Sequence, residues 1–198
     1  MEAVSIKHKV TLEEYLAFER EAEVKHILWD GEIFEMWAMA GASPAHNTIA
    51  TNLLGALFNA CRRGPCRAFN SDQKVWVPRK VGVVYPDATV VCGRLALRPG
   101  TTDVVTNPSL VVEVLSPGTE SFDRAEKFAG YRSIETLRHY VMVSSREVQV
   151  EQYLRMDDGT WTLRVLGAGD TLSFEGPDLT LAVDDLYERA FEETVTAP

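Results

Sequence analysis

At 198 residues, 45% of them hydrophobic, the chain can bury a proper core and is expected to form one domain, with its core over roughly residues 10 to 190. The net charge of −9 excludes a uniformly basic nucleic-acid coat, but residues 61–100 carry eight basic side chains against two acids, while residues 150–198 carry three against eleven. The middle of the chain can therefore face a polyanion while the C-terminal part stays solvated. No apolar run approaches a membrane span and the N-terminus lacks an apolar signal segment, so a cytoplasmic protein without membrane contact is expected.

In chain order, Thr11-Leu12-Glu13-Glu14 is a capping box that opens a helix running to about Ala22. Lys25 to Trp29 and Glu32 to Trp37 read as strands joined by Asp30-Gly31, a two-residue hairpin signal. Ser43-Pro44 supplies an N-cap and a proline at the first helical position for a helix from about Ala45 to Arg62. Its apolar positions Ile49, Leu53, Ala56, Leu57 and Ala60 share one face.

Short strands follow over Cys66 to Phe69, Gln73 to Val77, Asp87 to Cys92 and Leu110 to Leu115, with a loop over residues 93–109. The last two strands are nearly continuous β-branched runs, the pattern of strands covered on both faces. Phe122 to about Ser133 reads as a helix carrying Asp123 and Lys127 one turn apart. His139 to Val143 returns as a strand, and Val148 to Arg155 with Trp161 to Leu166 forms a hairpin around Asp157-Asp158-Gly159. Leu179 to Phe191 closes as a helix or an extended tail. The alternation is that of a mixed α/β fold, a central sheet flanked by helices with extra β-hairpins. Cys61, Cys66 and Cys92 match neither zinc-ligand spacing nor a disulfide framework, so reduced thiols are expected, with a Cys61–Cys66 bridge as the alternative.

The chemistry is expected where acids interrupt apolar strands. Asp87 opens Ala88-Thr89-Val90-Val91, and Glu113 sits between Leu110-Val111-Val112 and Val114-Leu115. An ionised carboxylate in a buried strand costs several kcal/mol unless a cation or hydrogen-bond donors compensate it. Taken singly, Asp87 reads as a turn residue after proline and Glu113 as a strand-end salt bridge. Jointly, with Lys127 on the next helix, they read as catalytic residues in which Asp87 and Glu113 hold Mg²⁺ (or Mn²⁺), hard ions that suit carboxylate oxygens and keep waters for a reaction. Lys127 would orient or deprotonate that water or steady the phosphorane charge, with Asp123 fixing it. His46, in the first turn of its helix, reads as a phosphate contact or as structural, and Asp72 as a supporting acid or a turn residue. Tyr131 is expected to pack its helix on the sheet, and Trp29, Phe34, Trp37, Trp76 and Trp161 to serve a core or a dimer interface. The acids from Asp184 to Glu193 are scattered and read as a solvated face.

Tyr85-Pro86-Asp87-Ala-Thr-Val-Val, Asn107-Pro108-Ser-Leu-Val-Val-Glu113-Val-Leu-Ser116-Pro117-Gly-Thr119-Glu120 and Asp123-Arg-Ala-Glu-Lys127-Phe-Ala-Gly-Tyr131-Arg together resemble a large bacterial restriction-endonuclease family of the PD-(D/E)XK nuclease superfamily. Asp30-Gly31-Glu32-Ile33, Met39-Ala-Gly41-Ala-Ser43, His46, Ser71-Asp72 and the Leu137 to Val143 segment are similar to it as well. The resemblance implies a restriction-endonuclease-like fold and a magnesium-dependent DNA-cleaving site, with Asp87 as the aspartate and Glu113 as the second acid. The usual E-x-K lysine position is occupied by Leu115, and the resemblance assigns that role to Lys127.

Relatives commonly carry an acid where this chain has Ile27, and a short insertion follows around Glu35-Met36-Trp37. His26 and Glu32 are the candidates to replace that acid, although alternation sets His26 and Ile27 on opposite strand faces. This defines a second reading, a catalytically impaired nuclease-like module that binds nucleic acid or protein. A third, Asp87 and Glu113 as an acid/base pair on a glycoside, lacks an aromatic cleft. A homodimer is expected from the need to cut two strands, DNA is the expected partner, and no organic cofactor is expected.

Overall fold

The computed structural model describes residues 9–36, 43–175 and 179–192. Trp37, the Met39-Ala-Gly41 segment and Glu193 lie outside them. Helix α1 (Leu12–Glu21) starts at the expected capping box, Thr11 accepting from the Glu14 N–H while the Glu14 carboxylate accepts from Thr11. Strands β1 (His26–Trp29) and β2 (Glu32–Glu35) form the Asp-Gly hairpin, with both turn residues at positive φ (52° and 80°), as this two-residue turn demands. Helix α2 (Pro44–Cys61) begins one residue before its expected start because Pro44 occupies its first position behind the Ser43 cap.

The chain then lays down β3 (Cys66–Phe69), β4 (Lys74–Val77), β5 (Gly82–Val84), β6 (Ala88–Cys92), β7 (Val104–Val105) and β8 (Leu110–Leu115). Helix α3, residues 120–131, is interrupted by a π-helical turn at Asp123–Lys127. It leads to β9 (His139–Ser144), β10 (Val150–Arg155), β11 (Trp161–Leu166), β12 (Thr171–Phe174), β13 (Leu179–Ala182) and the short α4 (Val183–Leu186).

The strands form two main sheets where one was expected. One runs β2-β1-β5-β4-β7, the other β11-β10-β9-β8-β6-β3, and β12-β13 is a separate hairpin. Pairing is antiparallel except for β4 with β7 and β8 with β9. Alternation along β8 sorts the core. Leu110, Val112 and Val114 face α2 and the C-terminal hairpin, while Val111 and Leu115 face a second core with Tyr131 of α3 and Ile27, Val75 and Val84 of the five-stranded sheet. A third core joins Tyr15 of α1 to Leu28, Ile33 and Val83 on the outer face of that sheet.

Helix α3 approaches the five-stranded sheet so closely that a Cβ on Gly130 would fall 2.6 Å from Trp29 Cη2 and 2.8 Å from Val77 Cγ1. Gly130→Ala is therefore expected to destabilise the fold by about 1–3 kcal/mol through overpacking, read as a lower midpoint in urea unfolding.

One sequence expectation changes here. Cys66 and Cys92 lie directly opposite in the β3–β6 register and are joined as a disulfide, leaving Cys61 as a buried free thiol. Their 26-residue separation hides a pairing that only the antiparallel register creates. The tail from Leu179, read as a helix or an extended tail, combines the two, a strand followed by a single helical turn. Among the described residues no helix is long and apolar enough to cross a membrane.

Candidate active site

The register of β6 against β8 pairs Ala88 with Val112, Thr89 with Val111 and Val90 with Leu110, which sets Asp87 opposite Glu113 one step past the end of the ladder. Neighbours so opposed have Cβ atoms about 4.5–5.5 Å apart, and two like charges there repel. Asp87 replaces the missing ladder bond with its own side chain, Oδ2 accepting from the Val114 N–H at 2.7 Å. Its Oδ1 lies 3.6 Å from Nε2 of His46, whose backbone N–H is held by the Ser43 cap.

Glu113 is 3% exposed. Its Oε1 accepts from Lys127 Nζ at 3.0 Å and from the Tyr131 hydroxyl at 2.8 Å. Lys127 Nζ also lies 2.8 Å from Asp123 Oδ1, an ion pair without the geometry of a directed hydrogen bond, so among the described residues that buried oxygen has no hydrogen-bond donor. The π turn, bonded i to i+5, takes more residues per turn than an α-helix, which brings residues four apart closer to alignment and keeps Asp123, Lys127 and Tyr131 toward β8. The Tyr140 hydroxyl from β9 pins the turn by donating to the Asp123 carbonyl at 2.9 Å.

Burial pushes the Glu113 carboxyl up to about 8, and the Asp123 and Asp87 charges push the same way, against Lys127 and the Tyr131 hydroxyl. Burial would lower Lys127, but Asp123 and Glu113 together hold it above its ordinary value, so it stays an ammonium. Tyr131 is raised well above the usual phenol range by burial and by Glu113, and remains a donor.

When ionised, three carboxylates face one ammonium, leaving two negative charges. A divalent cation would neutralise them. Among the described residues no three His, Cys, Asp or Glu side chains form a ready cage. The donor set fits an ion bound through one or two carboxylates that keeps its waters, the habit of Mg²⁺.

Of the residues singled out in the sequence, Asp87, Glu113, Asp123, Lys127 and His46 come together. Asp72 does not join them. It sits in the β3–β4 turn, held by Lys25 at 2.5 Å and Asn70 at 3.0 Å. Ile27 faces the core that holds Leu115 and Tyr131. His26 turns to the other face and pairs with Glu19 of α1, and Glu32 is exposed at the hairpin end, so neither replaces an acid at position 27. The Tyr131 hydroxyl is the contributor that packing logic alone missed. Its signal was the four-residue step from Asp123 to Lys127 to Tyr131.

A family model, Uma2, described as "Putative restriction endonuclease", matches residues 12–184. The chain belongs to this family. Two Synechocystis proteins described as uncharacterised, slr1290 and sll1609, are similar to it. The first is 37% identical over 179 residues, covering 90% of this chain and 92% of its own. The second is 33% identical over 166 residues, covering 84% and 92%. A crystal structure from Anabaena variabilis, described as "a putative nuclease belonging to DUF820", superposes with a TM-score of 0.74 at 16% identity, over 92% of this chain and 99% of that one. The Uma2 chain thus has the mixed α/β fold of that structure, as the sequence pattern led one to expect.

Proposed function

We propose that this Uma2 member is a metal-dependent endonuclease that hydrolyses DNA phosphodiester bonds at the Asp87–Glu113–Lys127 cluster. The observation that carries the reading is a buried Glu113 opposite Asp87, in a cluster whose one ammonium leaves negative charge uncompensated. Asp87 and Glu113 would hold Mg²⁺ or Mn²⁺, which supplies Lewis-acid polarisation of the scissile phosphate and a bound water of lowered pKa.

The chain's own residues do the positioning. The Val114 N–H fixes Asp87, and Lys127 with Tyr131 fixes Glu113. Because Lys127 is held above its ordinary pKa it is a poor base near neutrality, and its role narrows to orienting Glu113 and stabilising the charge that develops on the phosphate. Arg62, Arg63, Arg67 and Arg94 are exposed around the Pro65–Gly93 backbone contact, at the far end of β6 from Asp87, and supply basic surface for a phosphate backbone.

Titrating Mn²⁺ or Mg²⁺ calorimetrically into the wild type and Asp87→Ala, with plasmid nicking on the same samples, tests this. Wild-type binding and nicking are expected, with metal affinity falling at least about tenfold in the variant and nicking lost. Nicking that persists in Asp87→Ala, or that needs no divalent ion, would refute it. The second reading, a binding module without turnover, is favoured by Ile27, and metal binding without nicking in the wild type would select it.

A further inference from the structure

Strand β11 ends the six-stranded sheet with six residues, Trp161-Thr-Leu-Arg-Val-Leu166, and among the described residues nothing pairs its outer side. Leu163 is 45% exposed and Val165 59%. An extended edge with unpaired N–H and C=O groups and an apolar face is a template for another strand.

The hydrogen-bond phase of this edge is readable. The Met156 N–H donates to the Thr160 carbonyl, so Met156 and Thr160 are a bonded pair and Arg155 with Trp161 a non-bonded one. Bonded pairs alternate along an antiparallel ladder. The backbone groups of Trp161, Leu163 and Val165 therefore point away from β10, toward the open side. Alternation puts the side chains of the same three residues on the α3 face of the sheet, where Phe128 of α3 packs against Trp161 and Tyr153.

We infer that β11 is a homodimer interface, two copies joining their six-stranded sheets edge to edge, antiparallel, about a two-fold axis through Leu163. In this register Leu163 meets its own copy, Trp161 meets Val165, and Thr162 meets Arg164. All three outward-facing residues exchange backbone bonds, and an apolar stripe forms from Tyr153 and Leu163 to the partner's Leu163 and the partner's Tyr153. No like charges meet across the seam, since Arg155 stays on the Ile134 carbonyl and Glu151 on Arg124 within each copy, at the outer ends of the Trp161–Val165 rows. The neighbouring register, centred on Arg164, sets two guanidinium groups face to face and leaves Trp161 without a strand partner. These matches select a second copy of the chain over an unrelated strand.

The axis is perpendicular to the sheet and keeps its faces, so both Glu113 side chains look to one side. Seven strand spacings separate them by roughly 34 Å, close to one turn of duplex DNA, about 34–36 Å. Only this consequence rests on the nuclease reading; the dimer does not.

Sedimentation equilibrium of the wild type and of a Leu163→Lys, Val165→Lys double variant tests the interface. A wild-type dimer is expected, with affinity falling at least about a hundredfold in the variant while circular dichroism is unchanged. A monomeric wild type, or a dimer that survives both lysines, would overturn it. Cysteine pairing tests the register without relying on that variant, since bonded pairs have Cα atoms about 5.5 Å apart, within disulfide range. Leu163→Cys alone is expected to cross-link on mild oxidation, and Thr162→Cys only when mixed with Arg164→Cys. Self-cross-linking of Arg164→Cys without that of Leu163→Cys would refute the register.

Discussion

Lys127→Met is expected to abolish plasmid nicking, by about 10³-fold or more, and to lower the unfolding free energy by about 3–5 kcal/mol, the cost of leaving a buried charge without its partner. Lys127 Nζ lies 2.8 Å from Asp123 and 3.0 Å from Glu113, and Asp123 is 1% exposed and among the described residues pairs with no other cation. Methionine keeps the length and apolar stem of lysine while removing the ammonium, so the loss is electrostatic and not a cavity.

Stability and chemistry are separable by a second change. Asp123→Asn with Lys127→Met removes one charge of each sign and is expected to recover most of the stability, because neutral partners tolerate burial. The double variant should still fail to nick, since Glu113 has lost its orienting cation. Urea unfolding and single-turnover nicking on the four proteins of this cycle check both statements. Nicking at wild-type rate in either Lys127 variant would remove Lys127 from the reaction.

Much of this cluster was legible because local patterns and chemistry agreed. The β-branched runs around Asp87 and Glu113 announced buried strands, and acids inside them announced a compensating cation. The capping box at Thr11, the Asp30-Gly31 turn and the Ser43-Pro44 helix start each carry their own physics within a few residues, and each is where the pattern put it. What stayed hidden depends on partners. Periodicity tells which residues share a face but not which strand lies alongside, so the division into two sheets did not show. Nor did the short Gly82–Val84 strand and the Thr171–Phe174 strand, or the opposition of Cys66 and Cys92. The π turn was invisible for a related reason. An i,i+4 pair such as Asp123 and Lys127 fits an α-helix, and only the Tyr140 hydroxyl on the Asp123 carbonyl and the close seat of Gly130 reveal the wider turn.

Glu113→Gln is expected to eliminate cleavage yet to make the metal-free protein more stable above neutral pH. Burial first, then Asp123 and Asp87, raises the folded carboxyl to about 8, whereas an unfolded glutamate titrates near 4.3. Between these values the unfolded chain has released the proton and the folded one retains it. The folded state binds more protons there, so stability falls as pH rises, by up to about 1.4 kcal/mol per unit, and levels off above the folded pKa. Glutamine does not titrate and keeps a carbonyl that can accept from Lys127 and Tyr131, so its profile lacks this decline. The two proteins should match closely near pH 4 and diverge by a few kcal/mol by pH 8, with the variant ahead. Mg²⁺ pulls the balance the other way in the wild type alone, because a cation that favours the carboxylate lowers the folded pKa and restores the lost stability. Thermal melts across pH, with Mg²⁺ and without it, separate the two. A wild-type melting temperature that is flat from pH 5 to 8, or equal stabilisation of both proteins by Mg²⁺, would show that Glu113 neither pays a burial cost nor meets the ion.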